Sequence, residues 1–134
     1  HLALNEYTKA KSDLDIAIKI DENYTDAYLA RAHINRTLGN KKEAISDYSN
    51  VVKNDDKNFV AYFNRGLLLA LQQNYETAIS DFNKALVLNP TDSKAYYNRA
   101  LAKFKIKQDG CPDVKKAVQL GYLAAKTLLN QYCK

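Results

Sequence analysis

Methionine and tryptophan are absent from this 134-residue chain, and Gly 4, Pro 2, Cys 2 and His 2 are few. So little glycine and proline leaves scant loop material and no flexible linker. Without methionine the stretch lacks an initiator, so it reads as a processed form or a fragment. No run of about 18 apolar residues occurs, which leaves no candidate for a membrane-spanning helix. The opening HLALNEY lacks the basic flank and length of a signal peptide, and a cleaved one would leave no trace.

The chemistry of catalysis is equally thin. His1 is terminal and His33 stands alone, and HxxE, CxxC, GxSxG and glycine-rich phosphate loops are all missing. Asp21–Glu22 and Asp55–Asp56 fall in polar turns, where solvated carboxylates are ordinary. With no convergent set of side chains, neither enzyme activity nor a cofactor or metal is expected.

The net charge of +5 is unevenly placed. Residues 1–92 hold 11 Lys/Arg against 13 Asp/Glu, whereas residues 93–134 hold 9 against 2. A basic last third could attract an acidic ligand or a nucleic acid. Yet Lys103, Lys105, Lys107, Lys115 and Lys116 are scattered, without clustered arginines or interleaved aromatics, so a solvated lysine face is the plainer expectation and nucleic acid is not expected as a partner.

What the chain has in abundance is repetition. AYLARA (27–32), AYFNRG (61–66) and AYYNRA (95–100) recur at a constant interval. Ala27, Ala61 and Ala95 align, as do Tyr28, Tyr62 and Tyr96, and Arg31, Arg65 and Arg99. Ala32, Gly66 and Ala100 hold one small position. Residues 6–21, 40–55 and 74–89 share Ala10, Ala44 and Ala78, then Ser-Asp at 12–13, 46–47 and 80–81, then Leu14, Tyr48 and Phe82. A fixed period of this length marks an array of supersecondary units. Apolar residues step by three and four within 61–71 and 75–88, which predicts two helices per period. Polar Asn/Asp-rich segments between them predict turns and caps. The small residues Ala32, Gly66 and Ala100 are expected to face Ala44, Ala78 and Gly110 where the helices cross. The aromatics fill the wider gaps.

This pattern resembles the tetratricopeptide repeat (TPR) family. Residues 59–92 carry it best, through Tyr62, Gly66, Tyr75, Ala78, Phe82, Ala85 and Pro90. Arg31, Arg65 and Arg99 stand where the family usually has leucine, as in its NRG variety. The resemblance implies an all-α, right-handed α-solenoid: a half unit at 1–24, units at 25–58, 59–92 and 93–120, and a capping helix at 121–134. The helix over 6–20 is a second helix whose first is missing, which suggests further repeats upstream.

The family's first helices line a concave groove that holds a peptide or partner helix. On that face lie Leu29, His33, Phe63, Leu67, Tyr97, Leu101 and Phe104, flanked by Asn64, Lys94 and Asn98. The resemblance therefore implies a protein-interaction scaffold. Cover by the C-terminal helix or an upstream unit is the competing account of the same apolar strip. A subtype that clamps chaperone C-termini is not carried over: Asn64 and Lys94 match it, but Leu29, His33 and Asn98 occupy its Lys, Asn and Arg positions.

Two further expectations concern pairing. Asp13, Asp47 and Asp81 precede Arg31, Arg65 and Arg99 by one constant offset, with a turn midway, so Asp–Arg bridges are expected to stitch one unit to the next. Cys111 and Cys133 lie equally far along the chain on either side of Tyr122, at equal height in an antiparallel pair. Two half-buried thiols are the plainer reading. A disulfide is the sharper one and would imply an oxidising, periplasmic or secreted setting rather than the cytoplasm. Metal binding lacks a further ligand.

Overall fold

The computed structural model describes residues 2–133, in which eight α-helices and no strands are found. They are α1 (Leu2–Ile20), α2 (Thr25–Thr37), α3 (Lys41–Asn54), α4 (Phe59–Leu71), α5 (Tyr75–Leu88), α6 (Ser93–Lys105), α7 (Cys111–Gln119) and α8 (Ala125–Tyr132). The helices read from the 61–71 and 75–88 periodicities are α4 and α5, the former starting slightly earlier, at Phe59. α1 also extends further toward the N-terminus than the 6–20 pattern indicates. The chain divides into two compact units, one ending at Ala61 and one beginning at Tyr62.

Three reversals share one design. Gly39, Gln73 and Lys107, which occupy the same repeat position, take positive φ of 83°, 65° and 60°. At each, the following N–H reaches back across the turn into the preceding helix: Asn40 to Asn35 O, Asn74 to Leu69 O and Gln108 to Lys103 O, all at 2.8 Å. The positive-φ residue itself bonds a carbonyl nearer the turn, at Arg36, Ala70 and Phe104. These paired bonds satisfy the orphan carbonyls of α2, α4 and α6 and turn the chain onto the next helix. Only the first of the three turns uses glycine, and nothing crowds a Cβ there. Left-handed backbone disfavours Gln73 and Lys107 by about 1–2 kcal/mol, partly offset by glycine's freedom when unfolded. Lys107→Gly is therefore expected to raise stability by about 0.5–1 kcal/mol, read as a higher denaturant midpoint with unchanged slope.

The turns that start α4 and α6 are capped by side chains. Asn58 Oδ1 accepts from Ala61 N and Asp92 Oδ1 from Ala95 N, each at 3.0 Å. Asn40 and Asn74, at the starts of α3 and α5, make no such side-chain bond.

In the first compact unit, Ala27, Tyr28, Ala32, Ala44, Tyr48 and Val51 form the buried core. In the second, Tyr62, Leu68, Ala78, Phe82, Ala85 and Leu86 do so, followed by Ala100, Val114, Ala117, Ala125 and Leu128. The repeated small residues mark close approach. A Cβ at Gly66 would sit 2.9 Å from the Phe82 ring and 3.2 Å from Asp81 Cβ, so Gly66 makes room for the aromatic. A Cβ at Gly110 would meet Ala100 O at 2.7 Å, and backbone cannot yield as a side chain can.

Candidate functional site

The arginines that recur once in each repeat organise the helix pairs. Arg31 donates from Nε and Nη2 to the two carboxylate oxygens of Asp47, at 3.0 and 2.7 Å. Arg65 grips Asp81 in the same way at 2.8 and 2.7 Å, and Arg99 grips Asp113 at 2.8 and 2.6 Å. Each guanidinium also lies over the tyrosine one helical turn earlier, 5.5–5.7 Å from the ring centroid. The three aspartates are buried, so these are charge-assisted pairs in a low-dielectric setting.

This geometry corrects the expected pairing. Within each compact unit the buried aspartate answers the arginine of the helix immediately before it. Asp81 holds Arg65 rather than Arg99, and Arg31 takes Asp47 and Asp15 rather than Asp13. Both reversals put an Asp and an Arg at equal height, so height alone could not decide. The direction of the side chains does. Reach to the preceding helix uses a position just beyond the aspartate: Arg31 Nη1 bonds Asp15 Oδ1, and Arg99 Nη1 bonds Asn83 Oδ1, both at 2.8 Å. Hydrogen bonding to Asp47, outweighing desolvation, holds the Arg31 guanidinium above its ordinary range, as bonding to Asp81 does for Arg65.

Side chains one turn further along α2 and α6 also address the aspartates. Buried Asn35 donates Nδ2 to Asp47 Oδ2 at 3.0 Å and accepts from Asn40 Nδ2 at 3.3 Å. Lys103 Nζ lies 3.2 Å from Asp113. One member of the basic last third is thus an internal counter-ion, while Lys105, Lys107 and Lys115 are exposed.

The residues assigned to the first-helix face divide into open, half-covered and buried. Leu29 on α2 and Phe63 and Leu67 on α4 are half-buried, and Lys94 on α6 is exposed. Asn98 spends its amide on Lys94 O at 2.8 Å within α6. Asn64 is only 8% exposed, so it offers no open groove amide. Phe63 packs tilted on Phe82, with ring centroids 6.1 Å apart.

The α6 strip is not bare. Tyr97, Leu101 and Phe104 pack against the cluster of Ala100, Val114, Ala117, Ala125 and Leu128. The Tyr97 ring meets Tyr122 edge-on at 4.9 Å, and Phe104 stacks on Tyr132 at 4.7 Å. The C-terminal segment therefore covers part of the strip, the arrangement weighed above against an open groove. A disulfide joins Cys111 to Cys133, with Cα atoms 5.7 Å apart, and ties the end of α8 to the start of α7.

His33 is held from below. Its Nδ1 lies 2.7 Å from the hydroxyl of buried Tyr48, the two rings edge-on at 5.6 Å. Desolvation, with the Arg36 charge second, lowers the imidazole below its usual range. Burial likewise pushes Tyr48 up to about 12. A depressed histidine adds stability that is whole above pH 6.5 and is lost as acid protonates it through its lowered folded-state value. Tyr48 adds stability that is whole below pH 10 and is lost as pH rises toward about 12. His33→Gln is expected to flatten the acid limb of a stability-versus-pH curve while leaving the alkaline limb in place; an unchanged acid limb would contradict the assignment. Among the described residues no group of three or more His, Cys, Asp or Glu could hold a metal ion, and no helix is long and apolar enough to cross a membrane.

A tetratricopeptide repeat family model matches residues 59–92 and a second matches residues 25–58, together just over half of the chain. The chain belongs to the tetratricopeptide repeat family, and its fold is the family's all-α solenoid of helix-turn-helix units. No curated protein matches it by sequence. A crystal structure of MamA is similar with a TM-score of 0.86 and 19% identity, over 90% of this chain and 73% of that one. MamA 41-end from Desulfovibrio magneticus RS-1 gives 0.82 and 19%, over 97% and 85%. The first TPR of Spaghetti (RPAP3), bound to the HSP90 peptide SRMEEVD, gives 0.75 and 24%, over 83% and 91%. At these identities the likeness speaks for the fold.

Proposed function

We propose that the chain is a protein–protein interaction scaffold that takes an extended peptide or a partner helix on the faces of its first helices. One observation carries this reading. On α4, Phe63 and Leu67 stay half-open although their neighbours Tyr62 and Leu68 are 7% and 3% exposed. Phe63 leans on Phe82, yet it and Leu67 keep apolar surface open on one side of α4, and half-open apolar surface on one helix face is what a binding face looks like. Leu29 and His33 form the corresponding face of α2. On α6, exposed Lys94 together with Tyr97 and Leu101 adds a polar edge beside partly covered apolar surface. A carboxylate clamp is not part of the proposal, because Asn64 is buried and Leu29 stands at a cationic position.

Peptides selected for binding to the protein provide the test. Leu67→Ala and Leu29→Ala are expected to weaken a selected peptide about tenfold each, with the helical circular dichroism unchanged. Tyr97→Ala is a poorer probe, since loss of the Tyr122 contact would also loosen α8. Binders indifferent to both leucines would overturn the assignment of the face.

A further inference from the structure

His33 and Tyr48 form a pair that the later repeats lack. Leu67 and Leu101 stand one and two periods after His33. The residues directly after Asp47, Asp81 and Asp113 are Tyr48, Phe82 and Val114, each fully buried. Only Tyr48 among them bears a hydroxyl, and that hydroxyl meets the one histidine of the first-helix faces. Where the face residue is leucine, the residue after the aspartate is pure hydrocarbon.

The proton in this contact can be assigned. Tyr48 is 0% exposed, and its hydroxyl has one partner among the described residues, His33 Nδ1 at 2.7 Å. If Nδ1 carried the proton, the hydroxyl would accept it, and its own proton would be buried without an acceptor. The hydroxyl therefore donates and Nδ1 accepts, so the neutral ring carries its proton on Nε2. Burial, with the Arg36 charge second, favours that neutral ring. Nε2 has no hydrogen-bond partner among the described residues, and no unpartnered side-chain nitrogen is buried there. Nε2–H therefore reaches solvent from a half-buried residue of the α2 face.

We propose that Tyr48 locks His33 as a hydrogen-bond donor, and that Nε2–H takes a backbone carbonyl oxygen of the peptide bound on the α2 face. This rests on the reading of first-helix faces as the binding surface. A neutral donor suits a neutral acceptor, and an extended peptide presents carbonyl oxygens along its whole length. His33 fixes the position of the peptide backbone, while Leu29 supplies apolar contact. Tyr48, being buried, is a positioning residue that acts only through the imidazole.

Long-range 1H–15N spectra of the intact 15N-labelled protein at neutral pH read the tautomer without any variant. A protonated Nε2 and a bare Nδ1 are expected, with the Nδ1 resonance displaced in Tyr48→Phe; a protonated Nδ1 would overturn the proposal. Binding is read with a peptide selected from a random library on the protein and weakened by Leu29→Ala. His33→Phe keeps a ring but no donor and should weaken that peptide about fivefold. His33→Gln restores an amide donor and should recover most of the loss. Tyr48→Phe should weaken binding about twofold, and adding it to His33→Phe should change little further. Circular dichroism checks that each variant folds. Undiminished affinity in His33→Phe, or a loss that His33→Gln does not recover, would overturn the donor while leaving the face standing. If no selected peptide responds to Leu29→Ala or Leu67→Ala, the face itself is wrong and the donor falls with it.

Discussion

Asp47→Ala is expected to destabilise the protein by about 3–5 kcal/mol, the largest effect of any single polar substitution in it. Asp47 is 2% exposed, and its two oxygens serve three donors: Arg31 Nε, Arg31 Nη2 and Asn35 Nδ2. Removing the carboxylate leaves a part-buried guanidinium with Asp15 as its remaining anion, and strands the amide of Asn35, which is 1% exposed. The fall in melting temperature should be on the order of 10–20 °C. Asp13→Ala is the internal control. It changes the same repeat position on α1, where the side chain is exposed, and should move stability by less than about 0.5 kcal/mol. A complementary experiment replaces the Arg65–Asp81 pair. Arg65→Met and Asp81→Leu should each be costly, while together they should recover much of the loss, because a buried pair is damaged most by stranding one partner. Equal costs for Asp47→Ala and Asp13→Ala would show that the pairs contribute nothing special.

The second large effect lies at the C-terminal end. The disulfide spans a sequence separation of 22, and replacing both Cys111 and Cys133 by serine should remove about 3 kcal/mol. The loss should be local. α8 is a helix of only 8 residues, too short to hold in isolation. Without the tie it depends on buried Ala125 and Leu128 and on the Tyr97–Tyr122 and Phe104–Tyr132 ring contacts. Amide exchange should therefore accelerate across Ala125–Tyr132 well before it does in α5 or α6. Tyr97, Leu101 and Phe104 should become more accessible at the same time. Unchanged exchange in α8 after reduction to two titratable thiols would mean that packing alone holds the helix.

Much of the fold was legible because a repeated sequence supplies its own alignment. The recurrence of AYFNRG as AYYNRA places α4 and α6, and the step pattern in 75–88 places α5. What stayed hidden is directional. Arg–Asp equal height holds for both reversals flanking a helix, and only side-chain orientation selects Asp47 for Arg31. Asp113 escaped notice for a different reason. It stands closer in sequence to Arg99 than Asp47 does to Arg31, a separation of 14 against 16, so a fixed offset overlooks it unless the shortening before α7 is allowed for. The 3–4 step sets Asn64 beside the groove face without revealing that it is 8% exposed, because it says which side a residue leaves the helix but not what packs over it. Cover of Tyr97 and Phe104 by the C-terminal segment was one of two readings that periodicity could not separate, since it depends on where a short helix lands.

The central proposal is that a protein partner binds on the first-helix faces. Chemical-shift mapping of the 15N-labelled protein with a selected peptide tests this directly. Perturbations centred on Leu29, His33, Phe63, Leu67, Lys94 and Asn98, insensitive to moderate salt, are expected. Perturbations confined to Lys105, Lys107, Lys115 and Lys116 that collapse steeply as salt rises would contradict it, and would point to the basic last third as the binding surface.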